Sequence, residues 1–266
     1  MGCTVQTAEL PDHTNVAKRA SDTNGTRATI CRAISKLGYC SRTQAEALIA
    51  ARRVTLAGRL VTDVLTWADV HSDAIAVDGV RLVAHAGVYL MLNKPRGMVT
   101  TRVDPQGRPT VFNCLAHMDN PFLSPVGRLD KASEGLLLFT NDTVLAQRLL
   151  DPVTNVGKIY HVQLRGTPPD GMLARMRAGL CDDGEVLKAS AVRVLRSGEK
   201  NAWLEVELRE GRYRQIRRML KAADVECLRL VRVAIDDIKL GDLAKGAVRA
   251  LTQREVQILR QRTRMA

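Results

Sequence analysis

Residues 127–138 carry a single carboxylate, Asp130, in a loop that runs straight into Leu136-Leu137-Leu138-Phe139. A run of four large apolar residues bounded by polar loop reads as a core strand. The chain therefore has to build part of its interior around this strand, with the carboxylate at the strand's entrance. Asp130 sits between Arg128 and Lys131, and neighbouring cations keep a carboxylate ionised at pH 7. In a cleft such a group acts as nucleophile or base, and on the surface it is an ordinary salt bridge.

The rest of the chain speaks to the substrate. With 40 Lys+Arg against 28 Asp+Glu, the 266 residues carry a formal charge of +12, which favours a polyanionic partner. No segment approaches the roughly 18 apolar residues of a spanning helix, and residues 1–28 lack an apolar signal core. Six cysteines at 3, 31, 40, 114, 181 and 227 form no C-x-x-C pair, so the chain reads as reduced, cytoplasmic and without a zinc site.

Residues 1–26 are polar and aperiodic, and are expected to be a disordered tail. A small unit is expected over 27–84. In it Ile30, Ile34 and Leu37 recur at helical spacing before Gly38, and Ser41 and Gln44 have the spacing of a capping box for a second helix. Short strands follow, with Asp78-Gly79 as a hairpin signal. Arg42, Arg52 and Arg53 are candidate phosphate contacts on this unit.

A larger unit is expected over 87–259. It opens with a strand at 88–92, followed by the turn Asn93-Lys94-Pro95-Arg96-Gly97. After the Asp130 loop and its strand comes a helix capped by Asn141 or Asp142, then an alternating strand over 158–164 with Tyr160, Val162 and Leu164 on one face. Helical composition over 170–180 and strands at 190–196 and 202–208 make the class α+β. A helix over 212–220 buries Ile216 and Leu220 and leaves Arg217 beside that face. Arg128, Arg212, Arg214 and Arg218 are candidate phosphate contacts, and Tyr160 and Tyr213 are aromatic residues of the same unit.

Residues 37–46 and 53–58 resemble the alpha-L RNA-binding module first recognised in a ribosomal protein. Arg52 and Ala57 depart from it, standing where that module usually has Gly and Asn. Four further motifs occur in order: 93–97, Gly127-Arg128-Leu129-Asp130 with 133–137, Lys158-Ile159-Tyr160, and 210–219. Together they resemble the bacterial ribosomal-RNA pseudouridine synthases of the RsuA/RluB type. The resemblance implies a mixed, mainly antiparallel catalytic sheet behind an alpha-L module. It also implies isomerisation of a uridine to pseudouridine without cofactor or metal, on ribosomal RNA or an assembly intermediate, by a monomer.

By that resemblance Asp130 is the essential carboxylate, Tyr160 stacks on the target base, and Arg217 pairs with the aspartate. Glu134 raises a two-carboxylate reading of the glycosidase kind, set against a plain salt bridge. A non-catalytic ribosome-assembly factor on the same fold is the alternative function. A methyltransferase would need a glycine-rich cofactor loop that the sequence lacks.

Overall fold

The computed structural model describes residues 27–118 and 122–264, and the expected tail over 1–26 lies outside them. Helix α1 (Ile30–Lys36) and helix α2 (Arg42–Ala50) pack on a four-stranded sheet in which 59–60, 54–56, 75–77 and 80–81 are neighbours in that order. Ile30, Ile34, Ile49, Val54 and Ile75 form their shared core. The capping box is present: Ser41 Oγ accepts from Gln44 N, and the Gln44 side chain accepts from Ser41 N. Asp78 and Gly79 both adopt positive φ, 51° and 79°, as a tight two-residue hairpin requires. The two positions that depart from the alpha-L pattern are also left-handed: Arg52 has φ 58° and Ala57 φ 49°. A Cβ in that region costs about 1 kcal/mol that glycine would not incur.

The larger sheet is built from β1 (Tyr89–Lys94), β2 (Glu134–Thr140), β3 (Lys158–Arg165), β4 (Ala191–Ser197), β5 (Asn201–Leu208), β6 (Cys227–Ile235) and β7 (Val248–Ala250). Their spatial order is β4-β5-β3-β6-β2-β1-β7, with two-residue strands at 124–125 and 238–239 added on β2 and β6. Every pairing is antiparallel except β2 on β6.

Strand β2 is buried at every position, as its apolar run demands. Leu136 and Leu138 face helix α3 (Thr143–Leu150) and Leu259 of the C-terminal helix, while Leu137 and Phe139 face Leu90, Leu92, Val111 and Leu115. A third core lies between β3, β5 and two helices, α4 (Met172–Ala178) and α5 (Gln215–Ala222). There Val162, Leu164, Leu204 and Val206 meet Met176, Ile216, Met219 and Leu220. Asp142 supplies the α3 cap, accepting from Leu145 N at 3.0 Å. Asn141 instead ties 86–88 to the sheet through Ala86 O and Val88 N.

One expected boundary is corrected. Helix α5 begins at Gln215, not near 212, because Arg214 adopts a left-handed conformation with φ 48° and ends the preceding loop. The buried pair Ile216 and Leu220 stands as the spacing requires.

Candidate active site

The Asp130 loop is fixed through its backbone. Five consecutive carbonyls, Leu129 through Ser133, each accept a hydrogen bond from elsewhere in the fold or the loop. Thr100 Oγ1 donates to Leu129 O at 2.7 Å, and Gly97 N donates to Lys131 O at 2.7 Å. Lys94 Nζ donates to Asp130 O at 3.2 Å and Ser133 O at 2.8 Å, and Arg217 Nη2 donates to Ala132 O at 3.1 Å. Lys94 ends β1 and is fully buried. Burial lowers its ammonium pKa to about 8, against the pull of the Glu134 and Asp130 charges. The turn at 93–97 thus has a physical task, which is to hold the neighbouring loop in one shape.

With its backbone held, Asp130 is half-buried and points no hydrogen bond or ion pair at any described residue. It lines a cavity of about 290 Å³ together with Ser133, Tyr160, Leu230 and Ile216. Around this cavity stand Arg128, Lys158, Arg212, Arg214 and Arg232, so Asp130 and five cations share it. That charge balance suits RNA phosphate and any negative charge that develops on a bound base.

Sheet order brings these groups together. Strand β6 lies between β2 and β3: Arg232 is opposite Gly135 on one side and Tyr160 on the other. Asp130 precedes β2 by a short turn, so carboxylate, tyrosine and arginine converge at the sheet's centre. Gly135 is obligatory there. Its φ is +100°, and a Cβ at this position would lie 2.2 Å from Arg232 O.

Tyr160 packs at the junction of two cores, and Tyr213, largely exposed, stands at the cavity mouth. Glu134 is turned away from the cavity lining. Its carboxylate, 3% exposed, takes Arg229 Nε and Nη2 at 3.0 Å and Lys245 Nζ at 2.7 Å. These cations hold its pKa below the usual carboxylate range even though burial pushes it up. The geometry therefore favours the salt-bridge reading of Glu134 over a second reacting carboxylate.

Several expected roles change. Arg217 does not pair with the Asp130 carboxylate: starting α5 at Gln215 sends its guanidinium to the loop backbone at Ala132 and to Cys227 O at 3.5 Å, and leaves Nε buried without a partner. Arg218, expected on RNA, is held inside by Asp182 at 2.6 Å and Glu185 at 2.5 Å. Arg53 is engaged by both oxygens of Asp78, and Arg212 by Glu210 at 3.0 Å. Arg128, Arg212 and Arg214 do face the cavity. Arg42 lies on a separate groove with Arg102, whose guanidinium is sandwiched between the rings of Phe112 and Phe122 at 4.1 and 3.9 Å. Arg52 is exposed, away from both.

Sequence reasoning assigned no role to Lys94, Lys158 and Arg232. The signal for Arg232 was present: it is a lone cation in the otherwise apolar run Leu230–Ile235.

The RNA pseudouridylate synthase family profile matches residues 88–222. An uncharacterized RNA pseudouridine synthase of Mycobacterium leprae (strain TN) is 39% identical over 230 residues, covering 85% of this chain and 90% of its own length. The ribosomal large subunit pseudouridine synthase B of Bacillus subtilis (strain 168) is 33% identical over 231 residues, 86% of this chain and 94% of its own. A crystal structure of a pseudouridylate synthase superposes with a TM-score of 0.59 at 28% identity, covering 87% of this chain and 99% of that one. With three of the four motifs lining one cavity, the fourth clamping the Asp130 loop, and these likenesses spanning most of its length, the chain belongs to the RNA pseudouridine synthase family, in its RsuA/RluB-type branch.

Proposed function

We propose that the protein isomerises a uridine in ribosomal RNA, with Asp130 as the reacting carboxylate and Tyr160 against the base. The observation that carries this reading is the Asp130 loop: five clamped carbonyls hold an unpaired carboxylate in a cation-lined cavity. The ribosomal substrate is supported by relatives named as large-subunit pseudouridine synthases in Bacillus subtilis and Haemophilus influenzae.

The reaction explains the residue types. The C1′–N1 bond breaks with its electron pair on N1, and positive charge grows at C1′. An ionised carboxylate either stabilises that charge or bonds to it. The base then turns, C5 bonds to C1′, the C5 proton departs and N1 gains one. Held by its backbone, Asp130 meets C1′ with little reorganisation.

A stacked uridine must first leave its helix, at a cost of a few kcal/mol. Arg128 and Arg214 on the cavity, and Arg42 and Arg52 on the N-terminal unit, offset this by binding phosphates. In this reading the unit over 27–84 is an alpha-L module that docks RNA, and Arg217 acts as a positioning residue through Ala132 O. The test is a map of pseudouridines in both ribosomal RNAs with and without the gene. Loss of one site, restored by the wild-type protein and not by Asp130→Asn, is expected. An unchanged map overturns the ribosomal reading, and restoration by Asp130→Asn makes the protein a non-catalytic assembly factor.

A further inference from the structure

Strand β6 carries a buried cation at the centre of the sheet. Arg232 is 5% exposed, and its Nε donates to Leu136 O at 2.7 Å. Its Nη2 is buried with no hydrogen-bond partner. A guanidinium nitrogen in that condition costs free energy in the folded state unless something completes it. No acidic side chain among the described residues pairs with Arg232, and the residue lines the cavity that holds Asp130.

Its position is set by register. Arg232 is the direct cross-strand partner of Tyr160, and directly opposed residues project from the same face with Cβ atoms about 5 Å apart. Lys158 is on that face too, two residues from Tyr160 along β3, and lines the same cavity. Its Nζ is tied to Val156 O at 3.0 Å, and burial first, then the Arg232 charge, lowers its pKa. The cavity therefore has a fixed positive floor beside the tyrosine, opposite in character to the carboxylate at its edge.

We propose that Arg232 is a catalytic residue whose guanidinium donates to a carbonyl oxygen of the target uracil and stabilises the base as it leaves. This rests on the isomerase reading above. When C1′–N1 breaks, the electron pair moves to N1 and spreads onto O2 and O4, so the detached base is an anion. A buried guanidinium already in place strengthens its hydrogen bond as that charge develops, which lowers the barrier more than it strengthens ground-state binding. It also holds the anion in the cavity while the base turns and C5 bonds to C1′. A cation at this point discriminates by function: Asp130 serves the sugar, and Arg232 serves the base.

The experiment uses the full-length protein and ribosomal RNA transcribed with either uridine or 5-fluorouridine, followed at the position that the wild type converts. Nucleosides from digested RNA are separated, and the disappearance of uridine or 5-fluorouridine gives single-turnover rates; with fluorine at C5 no proton can leave once C5 bonds to C1′, so the C5-bonded product is the end point in that arm. Fluorine makes the departing base a weaker base, so it needs less help from a cation. For Arg232→Lys, which keeps a charge but not the fork, the rate with uridine should fall ~10²-fold, the size expected for one lost transition-state donor, with RNA affinity near wild type. With 5-fluorouridine the loss should shrink to about tenfold or less. Arg232→Gln is the second variant: without the charge, its loss with uridine should be at least as large.

Equal losses with both substrates, a loss confined to RNA affinity, or wild-type rates in either variant would overturn the assignment. Thermal unfolding of each variant shows which remain folded under assay conditions, and rates are compared among those. A wild type that converts no uridine would count against the isomerase reading itself, separately from the role of Arg232.

Discussion

Replacing Lys94 by methionine keeps the volume and removes the donor that holds the Asp130 loop. Lys94 Nζ bonds Pro95 O, Asp130 O and Ser133 O. Asp130 O retains Ser133 N, so two carbonyls lose their donor. Two unsatisfied interior carbonyls cost about 4 kcal/mol. Against this, the ammonium is itself destabilised: its pKa falls from 10.5 to about 8 in the fold, and that difference corresponds to about 3 kcal/mol below pH 8. The net loss of stability at pH 7 is therefore only about 1 kcal/mol, a few degrees in Tm.

Activity should respond far more. A displacement of about 1 Å at a reacting group costs on the order of 10²-fold in rate. Release of tritium from RNA labelled at uridine C5 reports turnover directly, because the C5 proton leaves in the reaction. The pH dependence gives an independent check. Between pH 8 and 10.5 the unfolded chain binds the Lys94 proton and the folded chain does not, so wild-type stability gains up to about 3 kcal/mol relative to Lys94→Met as pH rises. A Lys94→Met protein with wild-type turnover, or one with the same stability profile above pH 8, would refute the clamp.

Gly135→Ala should be the most damaging small substitution: contact at 2.2 Å with Arg232 O plus a positive φ costs about 4 kcal/mol, read as lost folded protein in urea titration. Lowering the pH should uncover Glu134, whose folded pKa is depressed. Its stabilisation is complete above the unfolded value near 4.5 and is lost as pH falls through the folded one, and Glu134→Gln should flatten this acid limb relative to wild type. Arg218→Ala should lower Tm by breaking the Asp182 and Glu185 pairs without changing the salt dependence of RNA binding. Arg214→Ala should reduce the slope of log affinity against log salt by about 1.

How far the sequence disclosed this depends on whether the determining contacts were local. Helix α1, the Ser41 cap, the Asp78-Gly79 hairpin and the buried β2 run are governed by neighbours in the chain, and each stands where its pattern placed it. Arg217 shows the opposite case. Its motif marked it as important, but whether its guanidinium meets a carboxylate or a carbonyl depends on where α5 starts, and a single left-handed residue, Arg214, decides that. Arg218 and Arg53 look like free cations in the sequence because their acids lie 36, 33 and 25 residues away. Arg232 could be noticed as an oddity in an apolar strand. Its meaning needed the β3-β6-β2 order, which sets it beside Tyr160 and Gly135.

The most direct test of the central claim, that Asp130 reacts from a loop held rigid by its backbone, is the single-turnover rate of purified Asp130→Asn on ribosomal RNA. The substitution leaves all five clamped carbonyls in place, so Tm and RNA affinity should stay near wild type. Tritium release should fall by ~10⁴-fold or more, the scale of losing an essential reacting group. A variant that keeps a tenth of the wild-type rate would contradict the account.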